Sequence, residues 1–441
     1  MTSTALLTDH YELTMVQAAL RSGAAHRRSV FELFARKLPE GRRYGVVAGT
    51  GRFLEALVDF TFGESELEHL RTHRVVDEPT LEWLAGYRFS GDVHGYPEGE
   101  LYFGHSPLMV VESTFAEGVL LETLALSMLN HDSAVASAAS RMTAVAGDRP
   151  CIEMGSRRTA EGSAVAAARA AYVAGFASTS NLEAGRRWGV PTAGTAAHSF
   201  TLLHDGEREA FTAQVESLGT DTALLVDTYD VTRGVQTAVE VAGTGLGAVR
   251  LDSGDLLGQA HAVRRQLDDL GATGTRIVVT SDLDEYAIAS LAAAPVDTYG
   301  VGTRLVTGSG HPTAGMVYKL VAREGEDGTM VDVAKASAHK TSVGGRKTAV
   351  RRVVDGVAQA ELVGIGEVPQ HDGDDRELLV PLVRGGQVVA PTGPEAVGAA
   401  RARHAASRAE LPAAALRLSA GEQAVPTVFV DEQPAPATGH A

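Results

Sequence analysis

Apolar and polar positions alternate with two different periods along this chain, and the changes of period divide it. Over the first 110 residues, short strand-like runs (SVFELFA at 29–35, GDVHGYPEGELYF at 91–103) mix with stretches at helical spacing, 6–22 and 51–58. An α+β unit is expected. From 113 to 142 the apolar positions Leu120, Leu124, Leu126 and Leu129 fall at helical spacing behind Glu112, Glu117 and Glu122, acids that suit the positive end of a helix dipole. This predicts a long connecting helix that opens a second domain. Between about 150 and 320, runs rich in valine, leucine and alanine each end in a small polar cluster and lead into a helix-compatible stretch. The clusters are GTAAHS, DTYD, RLDSGD, TSDLDE and GVGTR, roughly 20 to 35 residues apart. Such β-α units bring all strand C-termini to one edge of a parallel sheet, closed as a barrel or open and doubly wound, with the barrel preferred. Strand-like runs return after about 330 (MVDVAKAS, TAVRRVVDG, ELLVPLVRGGQVV), followed by a helical stretch at 395–408. The last segment, 431–441, is rich in proline and alanine without a core pattern and is expected to be a disordered tail.

Charge and composition narrow the function. Among 441 residues, 55 acids exceed 39 bases, a net charge of −16 that opposes nucleic acid and anionic membranes as bulk partners. A bound phosphate must then be held by a few local groups. A single cysteine, Cys151, excludes an internal disulfide framework and any multi-thiolate metal site. No apolar run approaches the roughly 18 to 20 residues that span a bilayer, and the opening MTSTALLTDHYELT lacks a basic n-region and a long h-region. A cytoplasmic enzyme is the expectation.

Three clusters carry chemistry. RLDSGD, 250–255, combines a guanidinium fork suited to a planar carboxylate or phosphate with acids suited to ribose hydroxyls or hydrated magnesium; the same residues also make an ordinary capped β-α loop. YGVGTRL, 299–305, places glycine and threonine at a strand-to-helix turn, where bare amides can hold phosphate. GTAAHS, 194–199, sets His198 after small residues at an expected strand end. The lysine-bearing segment 335–347 reads as a solvated loop or a cover over phosphates.

Together these segments carry a resemblance that none has singly. LLTDHYELTM (6–15), FELFARKLPEGRRYGVVAGTGRFLEAL (31–57), EMGSRR (153–158), GFASTSNLEAGRRWGVPTAGTAAHS (175–199), RLDSGDLL and GVGTRLVT resemble, in order and spacing to about residue 350, the nicotinate phosphoribosyltransferase family. The resemblance implies an α/β fold: an irregular α/β barrel (113–330) plus an α/β sandwich-like domain built from the N-terminal segment (1–112) with C-terminal contributions (331–430). It implies that nicotinate and phosphoribosyl pyrophosphate give nicotinate mononucleotide in NAD salvage, with ATP as co-substrate, Mg2+ as cofactor and a homodimer sharing its active sites. Position by position, His198 matches the histidine the family phosphorylates and Asp227 the carboxylate that orients it. Arg250 matches the arginine that pairs with the nicotinate carboxylate, and Tyr11 the aromatic that packs on the pyridine ring from the neighbouring subunit. Asp252 is matched to ribose hydroxyls, Arg157, Ser281, Gly302 and Thr303 to phosphates, and Thr195 to the base. Ser156 departs from the aromatic or aliphatic residue of many relatives. Other readings are a relative using nicotinamide or quinolinate, a lyase or aldolase on the same barrel, and a metabolite sensor without turnover. The aldolase lacks a strand-end lysine, since none occurs between Leu38 and Tyr318.

Overall fold

The fold comes from a computed structural model that describes residues 3–335 and 343–430. The tail 431–441 and the centre of the lysine-bearing segment, 336–342, lie outside the described residues. Two compact units divide the chain: the described residues up to 134 and from 313 onward form the first, and 135–312 form the second.

The first unit is built on mainly antiparallel sheets, the pairing of Val357–Ile365 with Thr427–Val430 being parallel. Its largest sheet runs Met330–Asp332, Met316–Glu324, Arg28–Ala35, Pro107–Thr114, Asp92–Gly95, Val380–Arg384 and Gln387–Val388 in that spatial order. A second sheet joins Arg376–Glu377, Lys347–Val354, Val357–Ile365 and Thr427–Val430. The strand at 28–35 is buried along seven of its eight positions, as expected of a central strand covered on both faces, and Phe31 stacks on Tyr318 at 5.1 Å. Strand Met316–Glu324 lies inside the 113–330 stretch read as the second domain, yet it pairs with Arg28–Ala35 here. Alternation reveals a strand but not its partner, so that boundary was invisible in sequence.

Local chemistry also shortens two expected helices. Helix His10–Ser22 starts at Asp9, because the Glu12 side chain accepts the Asp9 N–H at 3.3 Å and closes a capping box. The stretch from 113 does not begin a helix either: the β-branched run to Thr114 completes a strand, and Thr114 caps a short helix, Phe115–Val119. The long helix follows at Glu122–Ala146. The expected strand at 91–103 splits into Asp92–Gly95 and Leu101–Tyr102.

The second unit holds one six-stranded sheet, parallel throughout, in the order Ser178–Thr179, Cys151–Glu153, Thr298–Val301, Arg276–Ser281, Ala248–Leu251, Ala223–Leu225. Most strand residues are buried, and alanine-rich helix Glu161–Val173 buries six of its alanines. Of the five polar clusters, four follow strands of this sheet. GTAAHS does not: it lies in a loop reached only through an isolated bridge between Thr179 and Thr192. Its small residues lack the side-chain bulk that holds a strand in a sheet. Among the described residues, no helix is long and apolar enough to cross a membrane.

Candidate active site

Parallel pairing aligns the strand ends, and the register places Leu225, Arg250 and Val278 side by side. The loops that follow the first two carry Asp227 and Asp252, and Ser281 is the last residue of the third strand. His198 is the first residue of helix His198–Leu203, and its ring comes to these loops: Nε2 is 3.9 Å from Asp227 Oδ1 and 3.9 Å from Asp252 Oδ2. Both distances exceed a hydrogen bond. The ring is oriented instead through Nδ1, 3.1 Å from the Thr228 hydroxyl, a residue that sequence reasoning passed over although it lies within DTYD.

The Asp227 side chain is 3% exposed. Its Oδ2 accepts the Asp252 N–H at 2.9 Å and the Ser253 hydroxyl at 3.0 Å, while its Oδ1, facing His198, is buried without a partner. Arg250 is spread over four acceptors: Thr280 Oγ1 at 3.0 Å, Thr195 Oγ1 at 3.3 Å, the Ala196 carbonyl at 3.2 Å and Asp252 Oδ1 at 2.9 Å. For Asp252, burial works to raise the carboxyl, but hydrogen bonds from Thr280 and Arg250 and the positive charge nearby outweigh it, holding the group below the usual carboxylate range. The structure therefore gathers His198, Asp227, Arg250, Asp252 and Thr195.

A second group lies where strands Cys151–Glu153 and Thr298–Val301 pair and end. Glu153 is fully buried and accepts the Gly155 N–H and the Thr179 hydroxyl, which ties the turn carrying Arg157 to the 179–181 loop. Burial raises its carboxyl above the ordinary value, against those two hydrogen bonds. Ser156 joins the same link, accepting from Asn181 Nδ2 at 3.0 Å. Gly302 precedes helix Thr303–Val306, and a Cβ there would stand 3.3 Å from the Met154 carbonyl, so a side chain would be crowded at this turn. Arg157 and Ser281 are exposed. Cys151, at the start of its strand, is buried with its thiol pushed up to about 12, which leaves it unfit as a nucleophile.

Tyr11 belongs to the first unit. It is 45% exposed on helix His10–Ser22, and burial at its base together with the charges of Glu122 and Glu12 pushes its phenol above the ordinary value. Glu12 beside it is fully buried and accepts from the backbone and hydroxyl of Thr123 at 2.9 and 2.6 Å, which fixes this helix against the one at 122–146. Among the described residues no group of three or more histidine, cysteine or acidic side chains is placed to hold a metal ion.

An accessible histidine, two carboxylates and an arginine thus meet at the C-terminal edge of a parallel α/β sheet, the edge at which α/β enzymes place their sites. Comparison with known proteins gives the family. The family model described as nicotinate phosphoribosyltransferase (NAPRTase) N-terminal domain matches residues 6–130. A nicotinate phosphoribosyltransferase of Mycobacterium tuberculosis, pncB1, is 58% identical over 432 residues, covering 96% of this chain and 94% of its own; one from Bacillus subtilis is 40% identical, covering 79% and 73%. The crystal structure of human nicotinic acid phosphoribosyltransferase superposes with a TM-score of 0.81 at 27% identity, covering 95% of this chain and 97% of the human one. The chain belongs to the nicotinate phosphoribosyltransferase family.

Proposed function

We propose that this protein transfers the phosphoribosyl group of phosphoribosyl pyrophosphate to nicotinate, giving nicotinate mononucleotide and pyrophosphate, with ATP hydrolysis coupled through phosphorylated His198. The observation that carries this is the meeting of His198, Asp227, Arg250 and Asp252 at one strand edge in a chain of this family. In this reading the six parallel strands, which pair in a row with Ser178–Thr179 and Ala223–Leu225 at its ends, would belong to the irregular barrel the resemblance implies.

In this reading the nicotinate carboxylate takes terminal N–H groups of Arg250, competing with Thr195 and the Ala196 carbonyl, so the ring nitrogen faces C1 of the ribose. Asp252, held ionised by its neighbours, accepts from the ribose hydroxyls. The bond from C1 to pyrophosphate breaks as the bond to the ring nitrogen forms. Charge developing on the leaving group is met by the amides around Gly302 and Thr303, by Ser281 and by Arg157. With its Nδ1–H donating to Thr228, His198 presents a lone pair on Nε2, and the ring is 40% exposed, open to a phosphoryl donor. Phosphorylation adds close to two negative charges, enough to reorder neighbouring loops and tighten substrate binding.

Magnesium suits this site through its donors: Asp227 Oδ1, buried without a hydrogen-bond partner, and Asp252 Oδ2, which faces His198, are hard oxygens, and phosphate and water would complete the shell. Bound there, it would offset phosphate charge. A homodimer would give apolar partners to the exposed Leu182, Leu202 and Leu203, at 77%, 60% and 78%. Tyr11 of one subunit would then pack on the pyridine ring bound by its partner. One assay tests the reading: product formation from labelled nicotinate and phosphoribosyl pyrophosphate, with and without ATP and magnesium. No mononucleotide under any of these conditions refutes it.

A further inference from the structure

Behind the residues that face the site, three polar groups close into a ring. Arg250 Nε–H donates to Thr280 Oγ1 at 3.0 Å, the Thr280 hydroxyl donates to Asp252 Oδ1, and Arg250 Nη2 donates to that same oxygen at 2.9 Å. Thr280 is 3% exposed, and the Leu251 carbonyl, a second acceptor near its hydroxyl, is farther away at 3.4 Å. A threonine hydroxyl has one proton and two lone pairs, so here the proton goes to the carboxylate and a lone pair serves the guanidinium.

We propose that Thr280 is the positioning residue that aims Arg250 and Asp252 together, and so sets the fit of both substrates; this rests on the roles given to those two residues above. The register explains why it can. Val278 pairs with Arg250, and side chains two apart on a strand share a face, so Thr280 projects on the Arg250 side of the sheet while Ser281 points to the other. With Oδ1 taken by two donors, Oδ2 is the Asp252 oxygen left toward His198. With Nε and one Nη2 proton engaged on the same edge, the guanidinium plane is fixed and its remaining protons point away from the ring. The methyl is constrained as well: a Cβ on Gly300 would come within 2.5 Å of Thr280 Cγ2, so the absence of a side chain at 300 makes room for this rotamer. No contact to a substrate is required of Thr280; it acts through its two neighbours.

Two variants separate hydroxyl from methyl. Thr280→Val keeps the methyl against Gly300 and deletes the hydroxyl, whereas Thr280→Ser keeps the hydroxyl and deletes the methyl. Initial rates would be measured against nicotinate and against phosphoribosyl pyrophosphate at saturating MgATP, with thermal unfolding alongside. Loss of a hydrogen bond to a charged group predicts that T280V raises KM for both substrates about tenfold, with kcat within about threefold of the parent. T280S should stay within about threefold in both KM values, even if it melts earlier. The proposal is overturned if T280V keeps parental KM values, if only one of the two moves, or if T280S is impaired as much as T280V. Arg250→Lys and Asp252→Asn run beside them distinguish the failures. If those two variants raise their KM values and T280V does not, the inference about Thr280 alone is wrong. If they also leave KM unchanged, the site assignment fails and this inference with it.

Discussion

Arg250→Lys tests the substrate assignment most directly, because it preserves charge and removes geometry. Arg250 offers five N–H donors in one plane; four acceptors already surround it, its side chain is 14% exposed, and only the contact to Thr195 is open to solvent. A lysine ammonium can reach one or two of these acceptors but cannot hold the Thr280–Asp252 edge and meet a planar carboxylate at once. A charge-assisted hydrogen bond contributes about 1.5–3 kcal/mol, so losing one such contact to substrate, about 2 kcal/mol, raises the nicotinate KM roughly 30-fold at 1.4 kcal/mol per decade. The assay is initial-rate kinetics in nicotinate at saturating phosphoribosyl pyrophosphate and MgATP, paired with thermal unfolding. The reasoning also requires that discrimination against nicotinamide, which lacks the carboxylate, should fall by a similar factor. A nicotinate KM within about threefold of the parent in a folded variant would refute it, since charge alone would then suffice.

His198→Ala should abolish ATP stimulation while a slow ATP-independent transfer persists, because in the proposed reaction the ring nitrogen of nicotinate, not His198, attacks the ribose; γ-labelled ATP should leave an acid-labile, base-stable phosphoprotein in the parent and none in the variant. Asp252→Asn should raise KM for phosphoribosyl pyrophosphate about ten- to hundredfold, the worth of one charge-assisted hydrogen bond, and unchanged binding of that substrate in calorimetry would remove Asp252 from the site. Lys347→Met strands Glu32, its partner at 2.6 Å, in a setting where the two side chains are 2% and 4% exposed, and should cost about 3–5 kcal/mol of stability at neutral pH by denaturant unfolding. Burial, opposed by Lys347, already holds the Glu32 carboxyl above its ordinary range. A carboxyl whose folded pKa is raised takes up a proton on folding, so stability is lost as pH rises through that pKa. The K347M deficit should therefore shrink from pH 7.5 to pH 5, and a deficit independent of pH would show that Glu32 is not its source.

The order of amino acids by itself determined the short-range features of this protein. Four of five polar clusters in the middle of the chain follow parallel strands, because valine- and leucine-rich runs ending in glycine, aspartate and threonine are local signals of strand and turn. RLDSGD and GVGTRL were legible as polar segments at strand ends for the same reason, and the motifs from TDHYELT to GVGTRLVT made the family legible. Partners, by contrast, were decided by tertiary structure. That Met316–Glu324 belongs beside Arg28–Ala35 depends on pairing across almost 290 residues, for which alternation carries no address. Thr228 rather than Asp227 hydrogen-bonds the His198 ring, and Thr280 rather than Ser281 is bonded to Arg250 and Asp252. Each is one position from a residue that sequence reasoning chose. On a strand one position reverses the face a side chain takes, and at a strand end the loop backbone sets its direction, so the identity of a site residue is fixed only when register and loop conformation are.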